Sequence, residues 1–146
     1  MKTLDELLKE LKGIGRKIRN VQRACGYDDC SDLSRLEIPM QDADGLFLWE
    51  ELRGVMDKLA DARAAVEYLN TPVQTEGVLR WDKKTERYRF KGVELSCGSS
   101  LEILVKDDYH DVPYWCAGRI EHNGERYYFT GAKKMSLKGA KARIRG

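Results

Sequence analysis

The chain has 146 residues, with 26 Lys and Arg against 24 Asp and Glu, 42% hydrophobic and 34% charged, which is one ordinary domain or two very small ones, neither disordered nor fibrous. No apolar run approaches the roughly 20 residues that span a bilayer, and the charges spread through MKTLDELLKELK are unlike the apolar centre of a signal peptide. A cytoplasmic protein without a membrane partner is expected, with its four cysteines as thiols and no disulfide support for the core.

The net charge of +2 hides a polarity along the chain: residues 1–25 carry +4, residues 26–45 carry −5, residues 46–70 carry −2 and residues 71–146 carry +5. In the first segment Leu4, Leu7, Leu8, Leu11, Ile14, Ile18, Val21 and Cys25 recur at steps of three and four, one stripe of an α-helix. Thr3 followed by Glu6 fits a capping box. Gly13 and Gly15 weaken the middle of this helix by about 1 kcal/mol each relative to Ala, so something is expected to pack closely there. A second stripe runs Leu48, Trp49, Leu52, Val55, Met56, Leu59, Ala62, Val66 and Leu69, with Asp44 expected as N-cap and Asn70-Thr71-Pro72 as the stop. Between them Gly26 to Asp44 is long for a helix connection, rich in Asp and Ser, and expected to hold a helical turn near Ser31 to Leu36. The outer faces differ in sign: Lys9, Lys12, Arg16, Lys17, Arg19 and Arg23 on the first helix, Glu50, Glu51, Asp57, Asp61 and Glu67 on the second.

From Gly77 the period changes to two, the pattern of half-buried strands. Strands are expected at Val78–Trp81, Arg87–Phe90, Leu101–Lys106, Tyr114–His122, Glu125–Thr130 and Ala140–Arg145, with Asn123-Gly124 as a type I′ turn. So few short strands cannot make two stacked sheets, but closure on themselves would remove the edges. The expected class is therefore α+β: residues 1–72 an antiparallel helical hairpin with a long acidic connecting loop, and residues 73–146 a small β-barrel.

The strand order, with Ser96-Cys97-Gly98, Trp115-x-x-Gly118-x-Ile120 and Gly124-x-x-Tyr127-Tyr128-Phe129, resembles the SH3-like and Tudor-like small barrels. More narrowly, Gly77-x-Leu79, Arg87-Tyr88, Glu102-Ile103, Trp115, Gly118-Arg119-Ile120-Glu121-His122 and Tyr127-Tyr128-Phe129 resemble a small uncharacterised SH3-like domain family of Gram-positive bacteria and their mobile elements. The resemblance covers about half the chain and implies a phage or conjugative-element setting rather than a reaction.

No GxxxxGK[ST], no GxGxxG, no GxSxG and no HExxH occurs, so an enzyme is not expected. Cys25 and Cys30 beside Asp28 and Asp29, with Cys97, Cys116, His110 and His122 as further donors, lack the paired CxxC spacing of structural zinc; no metal and no cofactor is predicted. Asp107, Asp108, His110 and Asp111 crowd one loop where a hard cation or an acid and base would fit, although loops also collect solvated polar residues.

What remains is surface. Cys116, Gly118 and Ile120 facing inward would put Trp115 and Arg119 outward, with Tyr128 and Arg126 across from them on the next strand. Lys133, Lys134, Lys138, Lys141, Arg143 and Arg145 have no acid within their stretch of sequence; they suit phosphates or an acidic protein surface, or simply a solvated edge strand. The favoured expectation is a non-enzymatic interaction protein of mobile-element type that binds a host protein or ribonucleoprotein, such as a defence nuclease, in the manner of an anti-CRISPR inhibitor. Asp28, Asp29, Asp32, Glu37, Asp42 and Asp44 would then mimic phosphates. The alternative is an accessory module that binds single-stranded nucleic acid through the basic and aromatic barrel face.

Overall fold

In the computed structural model, which describes residues 1–27, 33–38 and 40–146, the first stripe folds as α1 (Leu4–Cys25). The capping box forms: Glu6 N–H donates to Thr3 Oγ1 at 3.1 Å and Thr3 N–H to the Glu6 carboxylate at 2.8 Å. Gly26 ends the helix at φ 75°, a conformation that costs glycine nothing, and a Cβ there would lie 2.6 Å from Ser34 Oγ. The second stripe folds as α2 (Ala43–Asn70). Its cap is Asp42 rather than the expected Asp44: the Asp42 carboxylate accepts from Asp44 N–H at 3.3 Å and Gly45 N–H at 3.2 Å. Asp44 instead sits in the first turn, where a negative charge favours the free N–H groups.

The two helices form an antiparallel hairpin. Cys25, Leu33 and Met56 are buried together against Tyr27, Trp49 and Leu59. Gly15 is buried, and a Cβ there would meet Arg63 Cγ at 3.8 Å, whereas Gly13 has nothing near it; the close packing expected at both glycines exists only at Gly15. In the connection, Tyr27 bridges to Leu33 and Leu36 N–H donates to Leu33 O at 3.0 Å, so the described part of the expected helical turn is a single turn. Ser31, Cys30 and the acidic candidates Asp28, Asp29 and Asp32 lie outside the described residues.

The chain divides into two compact units, Met1–Thr71 and Pro72–Gly146. The second unit is one antiparallel sheet of β1 (Val73–Asp82), β2 (Arg87–Phe90), β3 (Val93–Glu94), β4 (Ser100–Val105), β5 (Tyr114–His122), β6 (Tyr127–Phe129) and β7 (Lys141–Arg145). The strands lie in the order β3-β2-β1-β7-β4-β5-β6. The α+β architecture of a helical hairpin and a small β unit is as expected, but the barrel does not close. Among the described residues no ladder joins β6 to β3, and edges of three and two residues offer too little backbone to seal a seam. The sheet nevertheless curls, because one buried core draws Leu79 from β1, Phe90 from β2, Ile103 from β4, Ile120 from β5, Phe129 from β6 and Ala142 from β7, with Leu95 and Leu137 from loops.

Two turns differ from expectation. Asn123 does not adopt positive φ; its Oδ1 accepts from Glu125 and Arg126 N–H, both at 2.9 Å. That side chain organises a four-residue loop in place of a type I′ turn. The two-residue hairpin with positive φ at both positions is Lys91-Gly92, at 49° and 80°, joining β2 to the unforeseen β3. The Phe129 ring is held between two glycines: a Cβ at Gly118 would lie 2.6 Å from its Cε2 and one at Gly131 2.7 Å from its Cε1. No helix among the described residues is long and apolar enough to cross a membrane.

Candidate functional site

The ends of the two long hairpins face each other where the sheet fails to close, and a cleft of about 560 Å³ lies between them, inside the range of about 300–1,000 Å³ that ligand sites occupy. One wall is the cross-strand pair Trp81 and Tyr88, edge-to-face with ring centroids 4.9 Å apart. The other is the cross-strand pair His122 and Tyr127, edge-to-face at 4.6 Å. Glu86, Glu125, Arg126, Met135, Ser136 and Lys138 complete the lining.

Local chemistry fixes these groups. Directly opposed positions on adjacent antiparallel strands bring rings into contact, so each pair is a consequence of register. Burial pushes the Tyr88 phenol above its ordinary value, which keeps it a neutral donor. His122 Nδ1 accepts Gly124 N–H at 3.0 Å, so the neutral ring carries its proton on Nε2. Arg126 donates to Lys133 O at 3.2 Å, which tethers the loop after β6 to the wall. Two carboxylates and two cations give the lining no net charge, and two aromatic pairs give it flat apolar faces.

Of the basic and aromatic candidates, only Arg126 and Lys138 line this cleft. Lys133, Lys134 and Lys141 are exposed. Tyr128 stands across from Glu121 on β5, as expected, whereas Arg126 lies before β6 and lines the cleft instead of joining Tyr128 opposite β5. Arg119 is exposed with Glu121 at 3.5 Å.

Arg143 and Arg145 are not free of acid, as their sequence neighbourhood implied. Glu102, 5% exposed, accepts from Arg143 Nε at 3.0 Å and Nη2 at 3.3 Å, and from Arg145 Nε at 3.0 Å. The Arg143 guanidinium also lies 4.3 Å from the centre of the Trp115 ring, a cation–π arrangement. Burial pushes the Glu102 carboxyl up, but the hydrogen bonds and charges of Arg143 and Arg145 outweigh it and hold Glu102 below its ordinary value. Trp115, Arg143 and Arg145 are thus committed to a structural cluster on the sheet. The acid is distant in sequence because β7 inserts between β1 and β4, which sets Glu102 opposite Arg143.

In the loop after β4, Asp107 accepts from Tyr109 N–H at 3.0 Å, His110 N–H at 2.9 Å and Tyr114 OH at 2.8 Å, and its carboxylate lies 2.8 Å from His110 Nδ1. The hydrogen bonds from His110 and then Tyr114 hold its carboxyl far below the usual range. Asp107 is used in shaping the turn, while Asp108 and Asp111 are exposed. Cys25 is buried, Cys97 is exposed and Cys116 is half-buried; no group of three or more potential metal ligands forms among the described residues. Of the acidic candidates, Glu37 is exposed, and Asp42 and Asp44 serve the start of α2.

Sequence reasoning sought aromatics beside arginines on β5 and β6 and passed over Trp81, Tyr88, His122 and Tyr127. The available signal was an aromatic residue at the loop end of both hairpins. Residues 77–144 match the model of a family described as a domain of unknown function (DUF5348). The matched stretch contains every residue of the cleft and none of the helical unit. No curated protein and no solved structure is similar to the chain.

Proposed function

We propose that the chain is a non-catalytic protein-binding protein, and that an extended segment of its partner lies in the cleft between the hairpin ends. One observation carries this reading: the cleft presents two aromatic pairs with a lining of balanced charge. Rings offer anchoring area at low entropic cost, and balanced charge suits a mixed polypeptide better than a phosphate chain. The resemblance of the C-terminal half to domains of Gram-positive bacteria and their mobile elements supports a host protein or ribonucleoprotein as partner, with inhibition, as in an anti-CRISPR, by occupation of a surface. The contact now proposed is the aromatic cleft rather than an acidic phosphate mimic, since Asp42 and Asp44 are committed to helix α2.

A second reading is supported by the exposed Lys133 and Lys134 in the loop after β6: single-stranded nucleic acid could stack on Trp81 or Tyr127. A random linear peptide library panned on the full chain separates the two. Peptides that bind, and that lose about tenfold or more in affinity with Trp81→Ala or Tyr127→Ala, support the protein reading. Selection of no peptide, together with oligothymidylate binding that weakens steeply with salt, supports the nucleic-acid reading. Neither result would leave the cleft without a role and defeat both.

A further inference from the structure

The helical hairpin packs along only one side of its apolar stripes. Arg19 pairs with Glu67, and Glu67 with Arg63, so these residues mark the polar face shared by the two helices. On the opposite face, Leu7, Ile14 and Val21 recur at seven-residue steps along α1, as do Leu48, Val55 and Leu69 along α2 with one step taken by Ala62. All six large side chains are exposed by a third to a half or more. A repeat of seven keeps one seam facing one neighbouring helix. With Leu4 at 85% and Leu52 at 36% exposed beside them, the uncovered surface is on the order of 700 Å², above the about 300–600 Å² of a monomer's largest apolar patch. It is close to the about 800 Å² that each partner contributes to a standard stable interface.

We infer that this face is covered by a second copy of the chain, two hairpins forming a four-helix bundle about a twofold axis parallel to the helices. Charge selects this arrangement. Helix α1 carries six basic and three acidic side chains, and α2 carries three basic and six acidic. An axis along the helices lays each basic α1 on the partner's acidic α2, antiparallel, whereas the perpendicular axis would lay basic on basic and acidic on acidic. The axis also preserves height. Gly15 is level with Arg63 inside one hairpin, so Lys17 of one copy comes level with Asp61 of the other at the rim of the joint. This inference is independent of the cleft.

Sedimentation equilibrium on the full chain tests it. Twice the chain mass is expected, with Ile14→Glu and Val55→Glu each raising the dissociation constant at least about 100-fold while far-UV circular dichroism shows the helices intact. Lys17→Glu and Asp61→Lys sit at the rim and do not enter the apolar joint; each should weaken the dimer and the two together should restore it. A single chain mass up to millimolar concentration overturns the inference, whether the sheet unit or a foreign protein then covers the face, and so does failure of the paired reversal to restore affinity. Trp81→Ala is expected to leave the mass unchanged, so loss of peptide binding and loss of dimerisation are read separately.

Discussion

Replacing Glu102 by Gln keeps the volume of the side chain and removes its charge. Glu102 is buried, and the side chains of Arg143 and Arg145 are only 18% and 16% exposed, so two guanidinium groups would face a neutral amide that can accept through one oxygen only. Breaking a buried ion pair from one side costs about 3–5 kcal/mol. Because the arginine heads keep some access to water and Arg143 keeps the Trp115 ring, the lower end, about 3 kcal/mol, is expected. For a unit of this size that corresponds to a fall in melting temperature of roughly 12–24 °C. Urea unfolding followed by tryptophan fluorescence, with exchange of the Ile103 and Ala142 amides to assign the loss to the sheet, measures it. The sign with pH is fixed by a folded value held below the ordinary 4.5. The contribution is fully present above pH 4.5 and is lost as pH falls through the lower folded value, so the gap between wild type and Glu102→Gln should narrow in acid. A loss under about 0.5 kcal/mol, the size of an ordinary surface change, would show that the cluster does not hold the sheet together.

Gly118→Ala forces a methyl group against the Phe129 ring, and a loss of about 2 kcal/mol or more is expected, read by thermal melting; a neutral result would mean that Phe129 has room to move. Asp107→Asn removes the anion whose hydrogen bond raises the Tyr114 phenol above 10.0, so an NMR titration should show Tyr114 moving down toward that value. In the wild type, Asp107 should remain ionised below its ordinary 3.8 while exposed carboxylates protonate.

The helices were legible because their information is local: a stripe at steps of three and four, and a Thr and Glu three residues apart, report directly on the backbone between them. Arg87–Phe90 and Tyr114–His122 were legible to the residue for the same reason, each being bounded by loop-forming side chains. The start of β1 at Val73 was missed because the half-buried positions before Leu79 are Thr75 and Gly77, which carry no apolar signal, and β3 because two residues carry no period. The cap at Asp42 and the turn at Asn123 each depend on which backbone N–H groups a side-chain oxygen reaches, which composition does not encode. The site was the least legible part. Glu102 meets Arg143 across 41 positions, and Trp81 comes near Tyr127 only because the sheet curls; both follow from strand order, which no local pattern specifies.

The open seam makes the walls of the cleft the jaws of a caliper whose arm is the sheet itself. Three strand-to-strand joints separate β1 from β5, the inner strands of the two walls, so a change of about 2° in the twist of each, small beside the usual 20–25°, accumulates to roughly 6° at the aperture. Substitutions deep in the core, with no atom in the gap, are thereby able to set its width, and evolution can retune what it grips without altering one lining residue.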